Sequence, residues 1–347
     1  MALTNKKGWL YFLGEIDFKS GHKFSYVKIG KTDYDRPVSD RSNDHQTGNP
    51  RLIIEVADSI RTNFIDTLET YMHHRFATKR VHGEWFLFDE DELGEAVNEA
   101  IRVNELLDSV LTEAQSVKEM NKSLSNGKII AASKSVIADY EQYLLHETSR
   151  TLHKLNQDIV TAKLRKMTSS NSHLDGVSVL SLVPRKDKFD EAGFENKHPG
   201  VLAKFMKSEE KISRSYTIAN KPSAAKSHKV VNSELKEIKS KHEEITAVSD
   251  SVVVRDSSIE SLHNDWLGLH EMEVESKIIA DIYSLRLQHA CGDNEEIEGV
   301  CKWKRNMQTK ESLDTDALIK AEPSNYQKFL VLQTDIAKFV VTKYRSY

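Results

Sequence analysis

Tyr11, Arg41 and Glu69 are the residues of this chain whose types and spacing best suit a chemical reaction. Tyr11 lies in an apolar run typical of a strand, whereas Arg41 and Glu69 lie in segments with a helical pattern. An exposed phenol, a guanidinium and a carboxylate are the minimum side chains for metal-assisted cleavage of a phosphodiester, which needs an oriented water and neutralised charge at phosphorus. The sequence predicts such a site if a small sheet brings the three together.

The elements that would position these side chains begin with a β-hairpin. Residues 9–16 and 24–29 are rich in aromatic and β-branched residues, and the polar loop between them contains Gly21. That pattern predicts two antiparallel strands. Residues 33–46 then predict a helix, with Pro37 tolerated in its first turn.

Gly48 is predicted to end this helix. Residues 51–60 alternate as a third strand, residues 62–78 place apolar side chains at helical intervals, and residues 84–88 close the unit. The expected class is α+β, with a small head in which a three-stranded antiparallel sheet is flanked by helices.

Four short motifs mark residues 8–90. They are Trp9-Leu10-Tyr11, Lys28-Ile29-Gly30, Gln46-Thr47-Gly48-Asn49-Pro50 and Glu84-Trp85-Phe86. Together they resemble the GIY-YIG nuclease superfamily, particularly its phage-associated branch, which is often described only as a DNA-binding domain. The resemblance implies a metal-dependent DNA endonuclease or nickase that uses Mg²⁺ or Mn²⁺.

The base in such a site would involve Tyr11, which orients or deprotonates the attacking water. The ordinary pKa of a phenol, near 10, makes it a poor base at neutral pH, so a nearby cation must help. Lys28 stands where the family often has a second tyrosine, and we expect its ammonium to supply that field.

The resemblance also implies roles for the helical residues. Arg41 would clamp the scissile phosphate, because a guanidinium offers two parallel donors and keeps its charge. His45 follows at i+4 and can contact the phosphate or protonate the leaving oxygen. Glu69 matches the acid that holds the metal, and one carboxylate with water and phosphate oxygens suits Mg²⁺.

Each of these residues has a structural alternative. Tyr11 can be a half-buried strand aromatic, and Arg41 and Glu69 an ordinary surface ion pair. His73 and His74 follow Glu69 on the same segment, where packing is a better explanation than metal binding.

The rest of the chain predicts helical extensions. The expected divisions are a head at residues 1–90, a long helix or coiled coil at 91–166, a flexible basic linker at 167–256 and a C-terminal helical domain at 257–347. The apolar stripe of the second segment suggests packing or a homodimer. Residues 161–245 carry 17 Lys and Arg against 11 Asp and Glu, in a chain of net charge −4. This basic middle can attract nucleic acid, or simply keep a linker soluble.

A second aromatic and basic cluster lies near the C terminus. Trp303 is flanked by Lys302, Lys304 and Arg305, and the surrounding segment weakly resembles the helical part of YqaJ-type recombination exonucleases. Trp303 can stack on a single-stranded base while the cations contact phosphates. The alternative is that Trp303 packs into a helical core.

Composition limits the class of protein. The chain has only two cysteines, no apolar run long enough for a membrane span and no signal-peptide pattern at its start, so we expect a cytoplasmic protein without structural disulfides. DNA is the expected partner. The alternatives to a nuclease are a non-cleaving DNA-binding protein, in which Lys28, Lys31 and Arg41 contact phosphates, and a helical scaffold with a vestigial head.

Overall fold

The structure is a computed structural model. It describes residues 3, 5–47, 49–223, 233, 235–238, 240–241 and 245–347. Gly48 and part of the predicted basic linker lie outside these residues. The predicted α+β class is confirmed, with an antiparallel sheet and flanking helices followed by long helices. Among the described helices, none combines the length and the apolar character that a bilayer crossing requires.

The head contains a five-stranded antiparallel sheet. Its strands are β1 (Gly8–Ile16), β2 (Lys23–Asp33), β3 (Leu52–Thr62), β4 (Arg80–His82) and β5 (Trp85–Leu87). They lie in the order β3-β1-β2-β5-β4. The three predicted strands are therefore present, and two short strands that follow the second helix extend the sheet beyond β2.

Two helices cover opposite faces of this sheet. Side chains alternate between the faces of a strand, so the two apolar sets of β1 point in opposite directions. Leu10 and Phe12 are buried against α2 (Ile65–Arg75). Tyr11 and Leu13 lie in a second cluster with Val38 of α1 (Val38–Gln46).

The predicted long helix after the head is divided into three. The helices are α3 (Glu90–Asp108), α4 (Leu111–Met120) and α5 (Lys134–Thr168), and a short strand, β6 (Ile129–Ile130), precedes the last. Asp89 caps α3, accepting a hydrogen bond from the backbone N–H of Glu92, whose side chain accepts from the backbone N–H of Asp89. The chain turns between α4 and α5 near Gly127, which has a φ of +74°.

The apolar stripe of α5 finds its partner in the same chain. This partner is α7 (Ser257–Cys291), which runs antiparallel to α5. Trp266 Nε1 donates to Thr161 Oγ1 at 2.8 Å, and at the other end Arg286 lies 3.8 Å from Asp139. This pairing explains the stripe, and the predicted homodimer gains no support.

The remaining elements include many short strands. Between α5 and α7 they are β7 (Asn171–Leu174), β8 (Ser178–Val183), β9 (Lys188–Phe189), α6 (Glu191–Lys197), a 3-10 turn (Leu202–Phe205), β10 (Met206–Ile218) and β11 (Ser249–Val253). After α7 they are β12 (Glu296–Ile297), β13 (Cys301–Leu313), α8 (Thr315–Ala321), α9 (Pro323–Lys328), β14 (Leu330–Val331) and β15 (Ile336–Val341).

Pairing between distant segments explains why these strands escaped the sequence analysis. β10 pairs with β13 along its whole length, and β8 pairs with β15. The described part of residues 167–256 thus contains several paired strands, where a flexible basic linker was predicted. The segment after α7 likewise combines strands with short helices.

Candidate functional site

Tyr11 lies across the glycine of the second motif. Its cross-strand partner is Gly30, and a Cβ atom at position 30 would stand 2.6 Å from Cε2 of the Tyr11 ring. Glycine is therefore required there for the ring to cross β2. Tyr11 is only 1% exposed. The expectation of an exposed phenol was wrong, because α1 covers this face.

The hydroxyl of Tyr11 meets two side chains of α1. It lies 3.4 Å from Nε2 of His45. Burial raises the pKa of Tyr11, and the neighbouring Arg41 guanidinium opposes this rise. Arg41 is therefore the cation that acts on the phenol. Lys28 was expected to have that role.

The end of α1 is held by the side chain of Gln46. Its Nε2 donates to the carbonyls of Asn49, at 3.1 Å, and Arg51, at 2.8 Å, while its Oε1 accepts from the backbone of Ile53 at 2.8 Å. These bonds attach the end of α1 to the start of β3. The third motif thus fixes the helix that carries Arg41 and His45.

Asp44 orients the guanidinium of Arg41. Its carboxylate accepts from Arg41 at 2.9 Å and from Arg36 at 2.6 Å. Arg41 is consequently restrained by Asp44 on one side, and it also interacts with the hydroxyl of Tyr11.

Lys28 acts on the site through two neighbours. Its ammonium is buried and pairs with Glu84 of the fourth motif. Burial, followed by the charges of Lys28 and Arg41, lowers the pKa of His45. This shift favours the neutral form of the ring. The role of His45 as an acid, which needs the charged form, stays a prediction.

Glu69 approaches from α2 on the other face of the sheet. Its carboxylate is buried and lies 2.8 Å from the ammonium of Lys31, which also contacts Asp66 at 2.7 Å. Asp66 precedes Glu69 by three residues on the same helix, a spacing that places two side chains side by side. The sequence analysis missed Asp66, although this spacing was a usable signal.

A side chain of α2 reaches the backbone of β2 beside Gly30. β2 pairs with β5 from Tyr26 to Lys28, and the backbone N–H of Ile29 still donates to the Glu84 carbonyl at 3.1 Å. His73 Nε2 donates to the carbonyl of Ile29 at 2.8 Å. The charges of Glu84 and Glu69 add to the raised pKa of the Tyr11 hydroxyl. Tyr11 itself faces α1, whereas Glu69 belongs to α2 on the other face of the sheet.

A divalent metal would find two adjacent carboxylates here. Asp66 and Glu69 already share one cation, the ammonium of Lys31. The part of the chain that the structure describes has no cluster of three or more His, Cys, Asp or Glu ligands. The donor set fits Mg²⁺, which takes few protein ligands and keeps most of its water, provided that Lys31 moves away.

The head of the chain is similar to one known protein family. Residues 8–101 match the family model described as the T5orf172 domain. The T5orf172 domain is phage-associated and of the nuclease-related type to which GIY-YIG and HNH-like domains belong. It suggests a nuclease-like or DNA-binding function for the head. Comparison of the chain with curated proteins and with solved structures gives no match.

The predicted C-terminal nucleic-acid site at Trp303 is not present in the structure. Trp303 is 1% exposed in a core between β13 and α7, so its ring cannot stack on a base. The buried guanidinium of Arg305 lies 3.9 Å from the centre of that ring. Lys302 and Lys304 are paired with Glu296 and Glu295, each at 2.9 Å. Trp303 is a core residue, and the two lysines lie in surface ion pairs.

Proposed function

We propose that the protein is a metal-dependent DNA endonuclease or nickase of the GIY-YIG type. One observation supports this proposal above the others, namely the contact of the Tyr11 hydroxyl with a neutral His45 beside the Arg41 guanidinium. A neutral imidazole is a good base near pH 7. A phenol with a raised pKa is a poor one.

His45 is therefore the proton acceptor in the proposed reaction. The attacking water is held by the Tyr11 hydroxyl, and its proton passes to Nε2 of His45, directly or through that hydroxyl. The water oxygen bonds to phosphorus as the bond to the leaving oxygen breaks. The leaving oxygen then takes a proton from solvent.

Arg41 and the metal divide the charge of the phosphate in this proposal. The guanidinium donates to the non-bridging oxygens, where negative charge increases in the transition state. Bound Mg²⁺ or Mn²⁺ would polarise the same phosphate. Glu69 and Asp66 would hold the ion, and Lys31, once displaced, would be free to contact the DNA backbone.

A non-cleaving DNA-binding protein is the second candidate. The observation that favours it is the pairing of Glu69 with Lys31 and of Glu84 with Lys28, which leaves neither carboxylate without a cation. In this case the two ion pairs would be structural, Arg41 would contact a phosphate, and binding would weaken as salt is raised.

A plasmid assay distinguishes the two candidates. Supercoiled plasmid is incubated with the full chain and Mg²⁺, with a chelator as control, and binding is measured in parallel. A nuclease converts the plasmid to nicked or linear form only with metal. We expect Arg41→Ala to be slower by about 10²-fold or more, since it lacks a donor to the transition state. Salt-dependent binding without conversion would support the second candidate and contradict the first.

A further inference from the structure

An aromatic pocket adjoins the Tyr11 site on the same face of the sheet. Trp9 precedes Tyr11 by two residues on β1, so both side chains point toward α1. The rings of Trp9 and Tyr34 are nearly parallel, at 6°, with centroids 6.4 Å apart. Trp9 Nε1 donates to the Tyr34 carbonyl at 3.2 Å and so fixes the backbone that carries Tyr34.

The pocket has the size and openness that a small planar group needs. Its volume is about 390 Å³, within the usual range of ligand pockets, roughly 300–1,000 Å³. It is lined by Trp9, Tyr34, Asp35, Pro37, Val38 and Ser59. Tyr34 is 39% exposed.

Polar groups around the pocket suit a nucleotide. The guanidinium of Arg61 lies 4.6 Å from the centre of the Tyr34 ring and is open to solvent, where it can meet a phosphate. The Asp35 carboxylate and the Ser59 hydroxyl can accept hydrogen bonds from the exocyclic amine of a base. An aromatic surface beside a cation is the usual means of binding an unpaired base.

We propose that this pocket binds an unpaired base of the DNA strand that enters the Tyr11 site. The inference rests on the proposed function. Residues two apart on a strand are separated by about 7 Å, so a base held at Trp9 belongs to a nucleotide next to, or near, the phosphate at Tyr11. The protein would then prefer DNA with a displaced, mismatched or single-stranded base at the site of cleavage.

The experiment measures binding without cleavage. Fluorescence anisotropy in chelator compares two labelled DNAs, a fully paired duplex and the same duplex with one unpaired 2-aminopurine. Four forms of the full chain are tested, namely the wild type, Tyr34→Ala, Tyr34→Phe and Tyr26→Ala. Tyr26 is a matched control, because it is 42% exposed on β2 of the same sheet but does not line the pocket.

We expect only Tyr34→Ala to lose affinity for the DNA with the unpaired base. Wild type, Tyr34→Phe and Tyr26→Ala bind the DNA with the unpaired base more tightly and quench 2-aminopurine. Tyr34→Ala loses about tenfold in affinity for that DNA and little for the duplex, as expected for one lost stacking contact.

Two results would overturn the inference in different ways. If Tyr34→Ala keeps the preference while the wild type still cleaves DNA with metal, the pocket does not bind the base and the proposed function stands. If the wild type neither binds nor cleaves either DNA, the proposed function fails and the inference fails with it.

Discussion

The hydroxyl of Tyr11 and Nε2 of His45 lie 3.4 Å apart, although 34 positions separate the two residues in the chain. The contact exists because α1 packs on the Tyr11 face of the sheet, held there by Val38 at its start and by Gln46 at its end. It joins a phenol that keeps its proton to an imidazole that is ready to accept one. The following predictions concern the consequences of this arrangement.

Removal of the Tyr11 hydroxyl should abolish activity without unfolding the head. In Tyr11→Phe the ring still packs over Gly30, but the water loses the group that orients it, so we expect single-turnover nicking to fall by about 10²-fold or more. Thermal unfolding should change by only a few degrees. Gly30→Ala, in which a Cβ displaces the ring, should lower both activity and stability. A Tyr11→Phe variant as fast as the wild type would remove the phenol from the mechanism.

The pH dependence of cleavage should report His45. Since burial and nearby positive charges lower the pKa of His45 from the ordinary 6.5, the rate should fall only as the pH drops below 6.5. Lys28→Met removes a charge that lowers this pKa, so the acid limb should move to higher pH. The measurement is the single-turnover rate between about pH 5 and 8. Lys23→Met, on the exposed part of the same strand, is the control. If the acid side of the pH–rate profile is the same in Lys28→Met and in the wild type, His45 is not the group that controls it.

The ammonium of Lys31 should compete with the metal. It lies within 2.8 Å of both Asp66 and Glu69, so Lys31→Met should leave the two carboxylates free. We expect the Mg²⁺ concentration for half-maximal rate to fall by roughly fivefold, the effect of about 1 kcal/mol. Glu69→Ala should lose metal-dependent cleavage altogether, and Lys19→Met, in the β1–β2 loop, should behave as wild type. Full cleavage by Glu69→Ala would exclude this carboxylate as a ligand.

Local signals were sufficient to predict most of the head. Strand alternation predicted β1 to β3, and helical spacing predicted α2. The weaker signals belonged to short strands. β4 and β5 have three residues each, too few to show a period.

The candidate site was predictable in composition but not in contacts. Tyr11, Arg41 and His45 could be named from motifs, yet their burial depends on α1 covering β1, which no local pattern shows. The pairing of Lys28 with Glu84 joins residues 56 positions apart. Trp303 illustrates the same difficulty, because its strand, β13, pairs with β10 from a distant part of the chain, where Tyr216 lies opposite Trp303.

Trp303 should matter for stability and not for DNA. Trp303→Ala should lower the free energy of unfolding by about 3–5 kcal/mol, as for other buried aromatic residues. Trp303→Phe keeps most of the packing, so its affinity for single-stranded DNA should equal that of the wild type. Lys304→Ala, which breaks a surface ion pair, should change stability by less than about 1 kcal/mol. If Trp303→Phe loses affinity for single-stranded DNA, Trp303 stacks on a base after all.

A buried histidine pair should make the junction between the head and α7 sensitive to acid. His74 Nδ1 lies 2.8 Å from Nε2 of His270, whose ring stacks on Trp266. One imidazole donates and the other accepts in this contact. Burial lowers the pKa of His74 to about 4 and that of His270 to about 3, and the charge of a protonated His74 would lower the pKa of His270 further.

The sign of the pH effect follows from these lowered values. Unfolded histidines bind protons near pH 6.5, whereas the folded pair does not until about pH 4 or below, so the unfolded state binds more protons in between. The stabilising contribution is complete above pH 6.5 and is lost as the pH falls toward the folded values. Urea unfolding should show a loss of about 2–3 kcal/mol between pH 8 and 5.5 from these two groups. His270→Gln should reduce that loss, whereas His22→Gln, in an exposed loop, should not. An equal pH dependence in wild type and His270→Gln would show that the pair does not control acid stability.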